Sequence, residues 1–437
     1  MANVRSHLAY KDIRMETKQL KGVILSVEDT LLFRIDPANA DYNEIDDKQI
    51  TKLFNFFKSK GIKPVLLANQ RRWVITPQGK VDLYDYLEKT FDDLIIFTRI
   101  RDGRVPYKKT PDATKYVLNQ MGWEPNETIY IGSSKDDMIT AWQGGILFLR
   151  ATWYADHEDC AEYGFKFSEP KEVARFIDTL CLRKHFWSHV IQDDDFEYYA
   201  LAPYATKVER FAKYSRNGFA AAKFDGGGTL DFWLGATVTS LYFTGIYQRV
   251  KFIAPYPSHS EGVDSDVMSS DLLTFTHCFS HTKYLHNLIE RHKTAKKCAF
   301  ARARGEFIDH HNQLNTIKLN EFPTWNYKNQ YKTKQIKKGT TVLLVDDICT
   351  KGWSLDAAKK YVEAAGAKAI LVTWMKTINT NISTIGDMPV FNPFEENEFE
   401  GIPQGKTYNY NDFHVDHDAS DELGDQLDSY LAWDWPQ

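Results

Sequence analysis

Asp346 and Asp347 are adjacent carboxylates that close an apolar run, Val342 to Val345, and a short segment with Thr350, Lys351, Gly352, Trp353 and Ser354 follows them. Residue types in this order suit one kind of chemistry. Hydroxyls and backbone N–H groups at a helix start form a cradle for an anion such as a phosphate. Carboxylates accept hydrogen bonds from vicinal hydroxyls. A ligand with a 5′-phosphate one ribose away from two hydroxyls satisfies both halves. Two carboxylates at the end of a buried strand are costly without a partner, which favours a ligand over a purely structural role.

The elements that must position these groups are a strand, an acidic turn, a hydroxyl-and-glycine loop and a helix. Leu355, Ala358, Val362 and Ala365 share one helical face, and Gly366 is placed as the C-terminal stop. The first half has an alternation of its own. Strands are expected over Val23–Leu25, Pro64–Leu67 and Thr128–Ile131, and helices over Gln49–Lys60, Pro111–Met121 and Lys135–Trp142. Alternation of this kind implies a parallel sheet covered on both faces.

At 437 residues, two domains are the natural expectation. An apolar fraction of 43% and a charged fraction of 26% fit a soluble globular chain. A net charge of −5 argues against a general nucleic-acid or membrane-surface protein, although a local basic groove stays open. No apolar run reaches bilayer length and no signal-like apolar core opens the chain, so a cytoplasmic location is expected. Cys160, Cys181, Cys278, Cys298 and Cys349 are scattered without metal spacing, as reduced thiols would be.

The segment at 342–354 resembles the phosphoribosyl pyrophosphate (PRPP) signature of type I phosphoribosyltransferases, a hydrophobic strand then D-D-x-x-T-T-G-x-T. Lys351 departs from the usual second Thr, a place where a backbone N–H still serves a phosphate. Three further segments are similar to the ComF-like subgroup: Phe252 to His259, Arg291 to Lys297, and Asn312 to Leu319. The likeness covers roughly residues 199–378. It implies that Asp346 and Asp347 hold the ribose hydroxyls, that Thr350 to Ser354 hold the 5′-phosphate, and that Mg²⁺ arrives on the diphosphate. It also makes Tyr256, Ser258 and His259 candidates for the pyrophosphate loop. The basic element expected after that turn is replaced by Ser260 to Asp266, which is acidic. Lys293, Lys296, Lys297, Arg302 and Arg304 are the cations that could replace it, or else form a solvated face. His310-His311 has no third metal ligand beside it in sequence.

In the first half, Ser26 to Leu31 resembles motif one of haloacid dehalogenase-like (HAD) phosphohydrolases, D-x-D-[GD]-T-L. Ala68-Asn69 falls where motif two has Thr or Ser, Lys108 or Lys109 where motif three has Lys, and Gly132 to Asp137 resembles G-D-S-x-x-D. The likeness covers roughly residues 18–180. It implies a degenerate site: Ser26 replaces the nucleophilic Asp, Glu28 the acid/base Asp, Ala68 the hydroxyl donor, and Ser133 a metal-binding Asp. Asp137 remains as a weak metal ligand. Serine cannot take over a carboxylate's double role as nucleophile and magnesium ligand. HAD-type phosphatase activity is therefore not expected.

The expectation is an α/β chain with two doubly wound parallel sheets: a HAD-like domain at 1–185, a phosphoribosyltransferase-like domain at 186–380, and an acidic, Trp-containing segment at 381–437. The junction is the charged stretch from Arg183 to Asp195, and each half has the composition of a self-sufficient domain. The C-terminal segment reads either as a helix, Ser420 to Trp433, packed on its own domain, or as a tail that docks on a basic surface of this chain or a partner. The expected activity is PRPP-dependent, Mg²⁺-assisted transfer of phosphoribosyl to a nitrogen nucleophile, with the first domain regulating or assembling. Two alternatives stay open: a non-catalytic PRPP or nucleotide sensor or scaffold, and a stress or antiviral-defence effector acting on nucleotide precursors. The partners expected are PRPP or a related phosphoribosyl ligand, and a second copy or another protein through the HAD-like domain or the acidic tail.

Overall fold

The computed structural model describes residues 17–35, 43–224, 226–262, 267–296 and 308–436. Val263 to Asp266 of the acidic loop, and Lys297, Cys298, Arg302 and Arg304, lie outside the described residues.

The first sheet is built from β1 (Gly22–Leu25), β2 (Lys63–Ala68), β3 (Ile95–Thr98), β4 (Thr128–Gly132), β5 (Leu147–Ala151) and β6 (Phe165–Phe167). Its order is β6-β5-β4-β1-β2-β3, and every pairing is parallel. Helices α1 (Asp47–Ser59), α2 (Pro111–Met121) and α3 (Lys135–Gly144) start and stop where local chemistry dictates. Asp46 accepts from the Gln49 N–H at 3.1 Å to cap α1. Pro111 opens α2, and Gly122 ends it with φ +66°. Ser134 and Asp137 form a capping box on α3. Helix α4 (Pro170–Phe176) leads into a single π-helical turn ending at Cys181.

The second sheet contains β7 (His189–Gln192), β8 (Glu197–Tyr204), β9 (Phe252–Pro255), β10 (Lys283–Tyr284), β11 (Thr341–Cys349) and β12 (Lys368–Thr377). Its order is β7-β8-β12-β11-β9-β10. It is parallel apart from the edge strand β7, which runs antiparallel to β8. The second sheet is thus doubly wound as expected and mixed at one edge. The pair Asp346-Asp347 is not in a turn. Strand β11 continues through it, with Asp346 opposite Thr373 and Cys349 opposite Lys376.

Helices α5 (Glu209–Lys223), α6 (Leu230–Phe243) and α7 (Ser269–His277) lie on the face of the second sheet that looks toward the first half, and α8 (Trp353–Ala364) covers the other face. Helix α6 is decisive for the architecture. Every residue from Phe232 to Phe243 is buried, and a helix apolar all round needs cover all round. Trp233 stacks on Trp374 of the second sheet at 5.7 Å between ring centroids. On its other side Gly235 lies against Leu180 and Phe176, where a Cβ would come within 2.6 Å of a Leu180 methyl. The Tyr242 hydroxyl donates to the Thr128 carbonyl at 2.8 Å and accepts from the Leu147 N–H at 3.2 Å. One continuous core therefore joins Leu25, Phe57 and Ile131 to Trp233, Val345 and Trp374. A second cluster, with Leu344, Leu355 and Tyr361, fills the far face.

The charged stretch at the junction is only partly solvated. Arg183 is buried and donates to the Ala236 carbonyl at 2.8 Å and the Ser240 hydroxyl at 2.7 Å, pinning α6. Burial lowers its pKa to about 10.

The last segment forms a hairpin of β13 (Ile382–Ile385) and β14 (Gln404–Tyr408), then helix α9 (Asp418–Ala432). Leu423 and Leu427 of α9 are buried. Its acids meet bases of this same chain: Arg210 donates to Asp421 at 2.6 Å, and Lys213 pairs with Asp428. Glu422 accepts the His185 N–H at 2.8 Å, and the Trp433 indole donates to Asp178 at 2.9 Å. The helix thus lies across the seam between the halves. No described helix is long and apolar enough to cross a membrane, and the four described cysteines are free and buried.

Candidate functional site

Two sites sit where strand order reverses, each at the carboxyl ends of parallel strands, the place where open α/β sheets bind ligands. In the first sheet that point lies between β1 and β4. The chain after β1 moves toward β2, and the chain after β4 moves toward β5. In the second sheet it lies between β9 and β11. The chain leaves β9 toward β10 and leaves β11 toward β12.

The first of these sites is closed around an ion pair. Ser26 is fully buried, and the Lys108 ammonium donates to its hydroxyl at 2.9 Å and to Asp137 at 2.8 Å. The geometry selects Lys108; Lys109 is instead an exposed partner of Asp136 at 2.8 Å. Asp137 also accepts from the Tyr130 hydroxyl at 3.1 Å, the Ser133 and Ser134 N–H groups at 3.2 and 3.1 Å, and the Ser134 hydroxyl at 2.8 Å. Burial raises its pKa, but the Lys108 charge and these hydrogen bonds outweigh burial and hold the carboxyl below its usual range. Gly132 is required beside it, since a Cβ there would meet Asp137 Cβ at 2.6 Å.

With its lone pairs committed and an ammonium in contact, Asp137 is poorly placed to bind a metal. Among the described residues no cluster of three His, Cys, Asp or Glu fit to hold an ion occurs. Ser26 lies beside the Asp137 carboxylate, but that carboxylate is paired with the Lys108 ammonium and held below its usual range, so it is a weak base for the Ser26 hydroxyl. Glu28 receives Arg72 Nε at 2.6 Å, and Ala68, buried at the end of β2, contributes no hydroxyl. A polar cleft of about 280 Å³ remains above, lined in part by Glu28, Asn69, Arg72, Lys108 and His157. His157 contacts Asp29 at 2.8 Å. Arg72 and His157 belong to no motif, so sequence reasoning missed them.

In the second sheet β9 and β11 run side by side, with Pro255 opposite Val345. This register places Tyr256, Ser258 and His259 at the same end of the sheet as Asp346 and Asp347. Tyr256 is buried and donates to Gln313 at 2.7 Å, Ser258 is half-buried, and His259 is exposed. Arg291, also buried, braces this loop: its guanidinium donates to the Ser258 carbonyl at 3.0 Å and the Tyr256 hydroxyl at 3.2 Å. His310 and His311 bond the backbone at Ile402, at 2.9 and 3.2 Å, and so anchor a loop.

The carboxylate pair is electrostatically loaded. Burial first, and then the Asp347 charge, push the Asp346 pKa up to about 7, with Lys223 partly offsetting both. Lys223, at the end of α5, pairs with Asp347. Burial works against its charge, but Asp347 outweighs burial and raises its pKa. Lys223 lies more than a hundred positions from the signature, and its only sequence signal is a basic helix end before Gly226-Gly227-Gly228.

The loop after β11 is anchored by its carbonyls. Buried Lys376 donates to the Thr350 carbonyl at 2.7 Å and to the Thr380 carbonyl and hydroxyl at 2.7 and 2.6 Å. The Lys351 carbonyl accepts the Ser383 N–H at 3.0 Å, and its ammonium lies 4.6 Å from the Trp353 ring. Gly352 precedes α8 with φ +84°, and a Cβ there would meet Ile382 at 2.9 Å. Thr350, Trp353 and Ser354 are half-buried at the helix start, where first-turn N–H groups have no intrahelical acceptor. Lys376 was also missed; its signal is a lone charge directly after the mostly apolar run Ile370 to Met375, within the same strand.

No protein-family model matches the chain, and no curated protein does. Among solved structures, part of the chain is similar to a HAD-superfamily hydrolase from Ehrlichia chaffeensis at 14% identity, over 37% of this chain and 97% of that one, with a TM-score of 0.27. A HAD-superfamily hydrolase of subfamily IA from Geobacter sulfurreducens is similar at 14% identity, over 37% of this chain and 100% of that one, with a TM-score of 0.26. An uncharacterized protein from Listeria monocytogenes serotype 4b is similar at 16% identity, over 36% and 95%, with a TM-score of 0.28.

Proposed function

We propose that the carboxyl end of the second sheet binds PRPP and transfers its phosphoribosyl group to a nitrogen nucleophile, and that the first half is a non-catalytic partner. The observation that supports this most is the Asp346-Asp347 pair at the strand-order reversal, beside a glycine-led helix start. Ribose hydroxyls would donate to the two carboxylates, and the first turn of α8 would hold the 5′-phosphate. In the reaction, the bond from C1 to diphosphate breaks, the bond from nitrogen to C1 forms, and the nitrogen loses a proton. Positioning supplies most of the catalysis. Magnesium would arrive on the diphosphate, since the described residues offer no three-ligand cluster for it.

The double variant Asp346→Asn, Asp347→Asn is expected to weaken PRPP binding by about 2–4 kcal/mol, as two charge-assisted hydrogen bonds are lost. Calorimetry giving equal affinity for wild type and variant would remove the assignment. Binding should also depend on pH. Asp346 gives up its proton near pH 7, and the ionised form is the better acceptor, so affinity rises as pH rises from about 6 to about 8. Asp346→Asn should flatten that profile. A flat wild-type profile would mean that Asp346 does not face the ligand.

A sensor that binds PRPP without turnover is the second reading. It is favoured by the segment Tyr256 to Gly262, which carries Glu261 and no Lys or Arg to neutralise a leaving diphosphate. Release of diphosphate in the presence of candidate nitrogen acceptors separates the two. The first site is expected to give no HAD-type turnover on a panel of phosphomonoesters with Mg²⁺. Turnover abolished by Ser26→Ala but not by the Asp346 and Asp347 changes would reverse that view.

A further inference from the structure

The opposite edge of the second sheet carries a different chemistry. Lys251 precedes β9, Lys283 opens β10, Lys337 and Lys338 precede β11, and Lys368 opens β12. Backbone hydrogen bonds set these strand starts side by side: Lys283 N to the Lys251 carbonyl at 2.9 Å, Lys251 N to the Thr341 carbonyl at 3.0 Å, and Lys368 N to the Thr340 carbonyl at 2.9 Å. Strands lie about 4.8 Å apart, so the four starts span on the order of 15 Å. None of these five lysines forms an ion pair among the described residues, whereas the neighbouring Arg249 is neutralised by Glu197 at 2.6 Å.

A row of uncompensated cations stands out on a chain of net charge −5. Beside it is an open cleft of about 500 Å³, lined in part by Lys251, Phe252, His281, Lys283 and Tyr331. Flat rings accompany the charges. Tyr331 lies 6.1 Å from Trp325 between centroids, both half-buried, and the Lys283 ammonium is 5.9 Å from the Trp325 ring. Lys283 is itself half-buried, and burial lowers its pKa with no acid to offset it.

We propose that this lysine-lined edge, with Trp325 and Tyr331, binds a single-stranded nucleic acid. Cations in a row track a repeating phosphate backbone, while aromatic faces at the side of the row accept stacked bases. A compact anion would use one or two of these charges and none of the rings. The edge is remote from Asp346 and Asp347, so the inference does not depend on the PRPP reading.

The test is fluorescence anisotropy of a labelled 15-mer oligouridylate with the full-length protein, between about 50 and 200 mM salt. Binding that falls steeply with salt is expected. The double variant Lys251→Glu, Lys283→Glu should weaken it about tenfold or more. Tyr331→Ala should weaken it several-fold while leaving the salt dependence unchanged, with circular dichroism verifying the fold. Lys115→Glu, on an exposed face of the first half, should change nothing. No binding at the lowest salt, or equal binding by the charge-reversed variant, would overturn the proposal. So would inorganic polyphosphate or a poly-glutamate peptide that competes as well as unlabelled oligonucleotide at equal charge, because the surface would then read charge alone.

Discussion

Residues 186–437 expressed without the first half should not reach a native fold. Helix α6 is the reason. Its residues from Phe232 to Phe243 are all buried, and the first half supplies one side of that cover through Phe176, Leu180 and the strand ends at Thr128 and Leu147. Uncovering four or five large side chains costs on the order of 10 kcal/mol by area transfer. Whole domains are stable by only about 5–15 kcal/mol. The loss extends further. Arg183 would no longer pin Ala236 and Ser240, and Trp433 would lose Asp178. The fragment is expected to elute as aggregate, with no cooperative urea transition, and co-expression with residues 1–185 should rescue it as a complex. A monomeric fragment unfolding cooperatively near the full-length midpoint would show that the second sheet can close its core alone.

Much of this architecture is legible in the sequence, and its failures have physical causes. Strands and helices of the first half fall within a few residues of their expected positions, because alternation, caps and glycine stops are local signals. The strand of the carboxylate pair was legible for the same reason. Its continuation to Cys349 was not, since adjacent acids read as a turn until the partner strand from Thr373 to Lys376 is known. The apparent self-sufficiency of each half came from composition, which does not say which apolar face meets which. The pattern of α6 carried the contrary signal: apolar on every side, it needs neighbours beyond its own sheet. The sites were legible where chemistry runs along the chain, at Asp346 to Ser354 and Ser26 to Glu28. Lys223 and Lys376 reach those sites through space, and their local sequence offers only a basic helix end and a lone charge after an apolar run. Arg291 lies in a segment legible as ComF-like, but its bracing of the Tyr256 loop is not legible there. The acidic tail offers two alternatives in sequence, and the structure contains elements of both: a packed helix whose acids meet Arg210 and Lys213.

Lys108→Met should be among the most destabilising single changes in this protein, at about 3–5 kcal/mol near pH 7, the usual result of leaving one member of a buried ion pair alone. Asp137 is fully buried and would keep its hydrogen bonds from Tyr130, Ser133, Ser134 and Ser26 but no compensating charge. In the wild type its pKa lies below the usual value, because Lys108 and these bonds outweigh burial. That contribution is present above the unfolded pKa and is lost as pH falls through the folded one. Without Lys108 the balance reverses. Burial dominates, the folded pKa rises above the unfolded one, and the penalty is relieved as pH falls through it. The gap between variant and wild type should therefore narrow from about pH 7 to about pH 5. Adding Asp137→Asn to Lys108→Met keeps an acceptor for the Ser134 cap and removes the stranded charge, so it should recover part of the loss. Urea unfolding of the two single variants and the double variant at both pH values decides the matter. A Lys108→Met variant within about 0.5 kcal/mol of wild type at pH 7 would show that the pair contributes little. A loss that does not change with pH would mean that the cost is packing and not the charge on Asp137.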